Sequence, residues 1–481
     1  MGYLAQVVLD DIDITEFAIE GSVTTRLNRV GQATVKVHMT DAYASFGTMY
    51  PGPGSYLKIY FYGDNLGSTP VLWHHGRVIN CETTADENVG YTVFNSYDPL
   101  ELWQYRPVRN PPGSDPGNFA KPNIIQSLVY APAIVEGMMD GSELNTIPQD
   151  SEGPLRLQRG FVAQGSTPMT ADPSDWPMTM MELANLLISS GKLDVVITPI
   201  EFDVDGNYGA IDLYNGDYGQ DLTGSVTLSY GMGDRNVRAL RWNEDMTQMC
   251  NKLWYFLGPK CDEEHWRANV QGDDPAFNPD GVVLGPWNSS TAYAVNEVVT
   301  HTVDTINLHF ICKVLHVSSG TTEPGVGGAW NSVWDLWFVP PGGRLTGPCG
   351  SASSTNNPIG VRSCQSRETY DVRMDIKIFD AAGDDTDCSD AVVIGHELYR
   401  INWQIEQYLR AVPITLIHVT PIRDFGIGLF TIGDLITVEA SPDVKGGFSG
   451  AQRVYEYTID WDEDSVPAIG ELQVSSDNEG V

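Results

Sequence analysis

QATVKVHMT, residues 32–40, decides the class of the fold. Ala33, Val35, Val37 and Met39 fall on one side of an extended chain and Thr34, Lys36, His38 and Thr40 on the other. That is the two-residue period of a strand with one face in a core and one toward water. SYLKIYFY (55–62) repeats it after the turn-forming PGPG of 51–54, with Leu57, Ile59 and Phe61 opposite Tyr56, Lys58, Tyr60 and Tyr62. WHHGRVINCETTADENVGYTVFNSYDPLELW (73–103) then reads as strand, polar loop, strand and a short turn beginning at Asp98-Pro99. Residues 1–110 therefore predict an N-terminal β-barrel or sandwich-like domain.

The rest of the chain keeps the same punctuation. Of 481 residues, 48 are Gly and 29 Pro, with 42% apolar and 19% charged. Such a chain is too apolar for disorder and is broken by turns into many short elements. Its length predicts roughly three or four packed units. The 28 Lys and Arg stand against 63 Asp and Glu, a formal charge of -35, which repels phosphate backbones and anionic membranes and predicts no nucleic-acid partner. MGYLAQVVLDDIDITEF lacks the basic region and apolar core of an export signal, and no stretch approaches the ~20 apolar residues of a membrane span. Neither export by a signal of its own nor membrane insertion is expected. The seven cysteines are scattered without a C-x-x-C pair, which favours free thiols; Cys349 and Cys364 bracket a Ser/Asn-rich loop and are placed to pair if oxidised.

PPGSDPG (111–117) closes the first unit, and 111–175 reads as a linker with a short helix at about 122–130. In PMTMMELANLLISSG (177–191), Met180, Leu183, Leu186 and Leu187 recur at helical spacing, with Asp175 as the cap, Pro177 in the first turn and Gly191 at the close. With the strands at 192–202, 210–215 and 225–230 this helix makes an α+β middle domain over 176–260. Loose segments at 261–281 and 340–363 bracket a Trp-rich cassette, 286–340, that opens PWNSSTAYAVNEVV and closes AWNSVWDLW. Regular structure resumes over 365–481: an amphipathic helix marked by Leu398, Ile401, Ile405, Tyr408 and Leu409, then the strands of PITLIHVTP, LFTIGDLITVEA and RVYEYTIDW. A cassette between loose linkers, set inside regular fold, is the pattern of a domain insertion. The fold class is mainly β with α+β parts, multidomain, with a small all-β insert.

Catalytic and metal motifs fail on residue type. His396-Glu397-Leu398-Tyr399-Arg400 has Arg400 where a zincin helix needs its second His. Gly447-Phe448-Ser449-Gly450-Ala451 lacks the last Gly of a nucleophile elbow and lies between strands. Asp203-Val204-Asp205-Gly206-Asn207 opens like a calcium loop, but Tyr208 and Tyr214 occupy the places of its Gly and Glu, and a hairpin turn is the better reading. The three carboxylates of Gly383-Asp384-Asp385-Thr386-Asp387 read as a solvated turn ahead of a helix. No catalytic residue, metal ligand or cofactor is predicted.

The cassette resembles the small carbohydrate-binding modules of bacterial chitinases, which also occur as inserts in phage tail proteins. The residues that carry the resemblance are Trp287-Asn288-Ser289-Ser290, Tyr293, Val298-Val299, Phe310, Cys312, Ser318-Ser319-Gly320, Pro324 and Trp330. Flat aromatic rings against the C–H faces of pyranoses are how proteins bind sugars, and two or three aromatics are also what a core of this size needs. In the chitinase modules the exposed sugar-stacking aromatics follow the middle strand, where this chain has Lys313-Val314-Leu315-His316. All five aromatics, Trp287, Tyr293, Trp330, Trp334 and Trp337, are candidate sugar contacts; Trp287, Tyr293 and Trp330 are expected rather in the core, and Trp334 and Trp337, beyond the pattern's end, are the favoured contacts.

The remainder resembles the hub proteins at the distal end of long phage tails. The residues are Gly76-Arg77-Val78, Tyr91-Thr92-Val93-Phe94 running into Asp98 and Leu100-Glu101-Leu102, and, C-terminally, the Pro413–Pro421 strand, Ile432-Gly433-Asp434-Leu435-Ile436-Thr437-Val438 and Arg453-Val454. The resemblance implies a virion protein of the tail tip. It also implies a homotrimer that plugs the tube, with the distal tail protein ring, the tape measure protein, and fibre or spike proteins as neighbours, and a host cell-surface glycan as the ligand of the insert. The alternative is a carbohydrate-active hydrolase whose cassette targets polymer.

Overall fold

The computed structural model describes residues 4–38, 51–63, 65–85, 90–108, 126–129, 131–143, 155–163, 169–171, 178–189, 193–231, 235–245, 252–257, 265–269, 283–295, 297–303, 306–337, 363–370, 414–422, 426–442, 447–462 and 466–475. The first hundred residues are strands: β1 (Leu4–Leu9), β2 (Ile12–Asp13), β3 (Ala18–Arg26), β4 (Gln32–His38), β5 (Tyr56–Gly63), β6 (Gly67–Ala85) and β7 (Gly90–Tyr97). In β4, Ala33, Val35 and Val37 are buried while the alternate residues are partly exposed, as the pleat requires. Asp98 ends β7 where the turn is expected. Its carboxylate accepts from Leu100 N at 3.0 Å and Gly31 N at 2.6 Å, and Pro99 opens a 3-10 turn over Pro99–Gln104.

The middle region holds β8 (Gln126–Val129), β9 (Leu157–Val162), β10 (Met169–Ala171), β11 (Asp194–Pro199) and β12 (Gly209–Tyr214), with helices at Ala131–Glu143 and Met180–Ser189. The first helix is displaced from its expected place: residues 126–129 are strand, paired with β10, and the helix starts at Ala131. Pro132 sits in its first turn, where a proline forfeits no hydrogen bond. The second helix is capped by Thr179 and Glu182: Glu182 N donates to Thr179 Oγ1 at 3.2 Å and Thr179 N to Glu182 Oε2 at 2.6 Å. This reciprocal box holds the helix end expected of Asp175; Asp175, Pro177 and Gly191 lie outside the described residues. Met180, Leu183 and Leu187 pack with Trp103, Ile134, Ile211 and Leu213 in one of two large cores.

The chain continues through β13 (Thr227–Tyr230), β14 (Val237–Asp245), β15 (Lys252–Leu257) and β16 (His265–Asn269). The cassette follows as β17 (Val283–Pro286), β18 (Ala292–Tyr293), β19 (Val298–Val303), β20 (Ile306–Cys312), β21 (His316–Val317) and β22 (Trp334–Trp337). The last strands are β23 (Ser363–Tyr370), β24 (Ile414–Pro421), β25 (Leu435–Ala440), β26 (Phe448–Asp462) and β27 (Ala468–Ser475). The amphipathic helix expected around 398–409, the acidic turn at 383–387 and Cys349 lie outside the described residues.

A 13-stranded sheet joins the two ends of the chain, in the order β14-β24-β27-β26-β3-β4-β7-β6-β5-β1-β2, with β25 on β26 and β13 on β25. The seam is β26 against β3, reinforced by Arg26 Nε on Glu456 at 2.7 Å and Thr24 Oγ1 against Thr458 Oγ1 at 2.9 Å. One core serves both ends: Val7, Ile59 and Phe61 pack in the same cluster as Ile436, Val454 and Trp461. Gly21 makes the seam fit, since a Cβ there would lie 2.2 Å from the Trp461 ring. The architecture is mainly β with several sheets, as the alternation in β4 and β5 implies. Among the described residues the large sheet does not close into a barrel.

Candidate functional site

The cassette is attached through one small sheet. β15 pairs with β16 antiparallel and with β23 parallel, so Lys252 has Asn269 on one side and Ser363 on the other. The last residue of β16 and the first of β23 thus sit at the same end of this sheet, about 9–10 Å apart at two strand spacings. Within the cassette β17-β19-β20-β22 form one sheet and β18-β21 a second, and among the described residues neither pairs with a strand outside the cassette.

Its core is aromatic. Tyr293, Phe310 and Trp334 are fully buried with Val298, Val299 and Cys312. The Tyr293 and Trp334 rings meet edge to face with centroids 5.1 Å apart, and His316 closes on Trp334 at 5.0 Å. Trp334 Nε1 donates to Thr322 O at 2.9 Å, so the indole is hydrogen-bonded as well as packed. The opening WNSS loop is held by the same group: Asn288 N donates to Tyr293 Oη at 2.8 Å and Ser318 Oγ to Asn288 O at 2.7 Å.

These positions revise the expected sugar contacts. Trp334 is expected to face outward but is 0% exposed, because its register opposite Cys312 on β20 turns the indole onto Tyr293. A ring without an open face cannot stack on a sugar. Trp337 lies opposite His309 at the end of β22; its side chain is outside the described residues. Tyr293 is buried in the core. Trp287 and Trp330 are half-buried. Trp330 packs edge-on against Phe310 at 5.6 Å, and Trp287 against His301 at 5.2 Å, with His301 Nε2 3.1 Å from Glu323 Oε1. Sequence reasoning missed His301 and Glu323; the only signal was a polar His between Thr300 and Thr302 on a strand. Where the chitinase-type modules present aromatics, Val314, Leu315 and Val317 are exposed aliphatics.

In the body, the two described stretches that resemble a metal or catalytic motif are a turn and a strand, while residues 396–400 and 383–387 lie outside the described residues. Asp203 Oδ1 accepts from Asp205 N at 2.8 Å and Asn207 N at 2.9 Å, which makes a hairpin turn. Gly450 and Ala451 lie in β26 opposite Val438 and Thr437 of β25. No group of three or more His, Cys, Asp or Glu placed to hold a metal occurs among the described residues, and no helix among them is long and apolar enough to cross a membrane. The displaced titrating groups sit in packed surroundings. Burial, with Lys58 nearby, holds His75 down at about 4, and burial beside His75 holds His74 at about 3. His75 lies within ring-contact distance of Tyr56, Phe202 and Tyr208, and its Nδ1 is 2.6 Å from Ile200 O. Lys58 spans Asp11 at 2.8 Å and Glu201 at 2.9 Å; against burial, which lowers it, these carboxylates raise its ammonium above the usual value.

No protein-family model matches the chain, and no curated protein does. Among solved structures the chain is similar to phage tail proteins. One is a tail protein from Neisseria meningitidis, 9% identical, with 100% of this chain and 98% of that chain covered and a TM-score of 0.47. Another is the 43 kDa tail protein of prophage MuSo2 from Shewanella oneidensis, 10% identical, covering 98% of each chain with a TM-score of 0.46. A third is a prophage tail protein from Listeria monocytogenes, 9% identical, with 99% and 95% covered and a TM-score of 0.43.

Proposed function

We propose that the chain is a structural, non-enzymatic component of a phage tail tip, a hub that closes the tube as a homotrimer and displays a host-glycan-binding insert. The observation that carries this reading is the attachment sheet: β16 and β23 leave and re-enter the body beside Lys252, so the cassette hangs from a body whose own large sheet is complete without it. Of the residues resembling hub proteins, those of 76–78, 91–94, 414–421, 435–438 and 453–454 lie on that sheet, in β6, β7, β24, β25 and β26, and Asp98 and residues 100–102 lie in the turn after β7. Among the described Trp side chains of the cassette, Trp287 and Trp330, not Trp334, are left with exposed surface for a sugar, Trp337 staying a candidate beside them, and three displayed copies would multiply a weak affinity by avidity.

The test joins native mass measurement to glycan binding. A trimer that releases no reducing ends from cell-wall polysaccharide, and whose glycan binding falls in Trp287→Ala or Trp330→Ala, supports the reading. A monomer that cleaves polysaccharide and loses this on a single carboxylate substitution would replace it with the hydrolase.

A further inference from the structure

A second aromatic surface lies in the body, on the three-stranded sheet β11-β12-β9. Phe161, Tyr214 and Tyr218 form a row, with centroids 5.1 Å apart at 37° for the first pair and 4.7 Å apart at 46° for the second. Phe161 is 54% exposed, and the two tyrosines are half-buried behind it.

The local backbone is bent to present that phenyl ring. β9 pairs with β12 in register at Ile211 with Arg159 and again at Leu213 with Val162, so Gly160 and Phe161 together face the single residue Asp212. A bulge of this kind re-aims a side chain at the expense of ladder hydrogen bonds. The displaced amide is caught by the carboxylate, Phe161 N donating to Asp212 Oδ1 at 2.5 Å. Residue 160 has to be glycine for this, since a Cβ there would lie 2.1 Å from the same oxygen. The inner end of the row is held rigidly: Tyr218 N donates to Asp194 Oδ2 at 3.1 Å, and Tyr218 O accepts from Arg453 Nη2 at 2.8 Å. Arg453 and Asp194 are themselves a buried ion pair at 2.5 Å. An aromatic row on a fixed backing, with a carboxylate at its exposed end, is a preorganised surface.

We propose that the Phe161–Tyr214–Tyr218 row is a carbohydrate-binding platform, on which the C–H face of a neutral sugar lies against the rings and a hydroxyl donates to Asp212. Three rings, two of them half-buried, fall well short of the ~800 Å² per partner that a protein interface needs, and suit one or two sugar units. The formal charge of -35 excludes anionic polymers and leaves neutral glycans. The platform belongs to the body and stands whether or not the cassette binds sugar.

The experiment uses the full chain on an array of neutral oligosaccharides, followed by calorimetric titration with the N-acetylglucosamine tetramer, cellotetraose and maltotetraose. Binding to at least one probe is expected to weaken about tenfold in Phe161→Ala and to stay within about twofold of wild type in Phe161→Tyr, which keeps the ring. Asp212→Asn retains an acceptor for the Phe161 amide but weakens the hydroxyl contact, so binding falls while the melting temperature holds. No binding by the wild-type chain overturns the proposal. So does binding lost in Trp287→Ala and unchanged in Phe161→Ala, which assigns the sugar to the cassette. Choline binding that depends on Phe161, with no sugar bound, makes the row a cation site and also overturns it.

Discussion

Arg453 shows what one buried charge holds together. Its guanidinium reaches Asp194 Oδ2, the carbonyls of Gly433 and Tyr218, and through Asp194 the Asn28 amide at 2.9 Å, so residues 28, 218 and 433 meet on a single ion pair. Replacing Arg453 by Met strands a buried carboxylate and should cost about 3–5 kcal/mol, read as a shift in the urea midpoint. The double variant Arg453→Met with Asp194→Leu should recover part of that loss. His75 sets an acid limit by linkage. Its pKa is near 4 in the folded chain and near 6.5 unfolded, so the neutral ring stabilises the fold fully above about pH 6.5, and this contribution drains away as pH falls toward 4. The loss is on the order of 3 kcal/mol, and urea titrations of wild type and His75→Gln at pH 7 and pH 5 should show the variant less sensitive to acid.

At the scale of elements, periodicity identifies what is local and misses what is not. The pleats of β4 and β5 and the turn at Asp98 are legible because alternation and turn chemistry are written within a few residues. The Ala131–Glu143 helix is displaced from its expected place because Pro132 works as a start where a preceding helix would need a stop. Thr179 and Glu182 hold the cap that Asp175 was expected to supply, and Thr179→Ala should cost about 1 kcal/mol, measurable by denaturant titration. The inward turn of Trp334 is set by its pairing with Cys312 across 21 intervening positions of cassette sequence, and no local period carries that register. His301 and Glu323 meet for the same reason.

For the molecule as a whole, the decisive pairing is β3 with β26, which brings Arg26 to Glu456 across 430 residues of chain. Nothing in either segment's own pattern names the other, so the joining of the two ends into one sheet was not legible, although the strand of RVYEYTIDW was. Two outcomes follow. A chain without residues 286–340, with the ends bridged by a short flexible linker, should keep the secondary structure and thermal transition of the body in circular dichroism, since among the described residues the large sheet has no strand from the cassette. Copies of so acidic a chain should also associate more tightly as salt rises from low to physiological strength, because screening relieves their mutual repulsion; sedimentation across that range would show it.

The small sheet at Lys252 also has a mechanical side. Both tethers depart from the same end of the two strands that flank β15, so tension on the appended module runs lengthwise along β16 and β23 and loads the rungs shared with β15 in shear. Rungs in shear must give way together, whereas a tether leaving sideways would peel them one at a time. An anchor of that geometry suits a module that is pulled upon while the body it hangs from stays put.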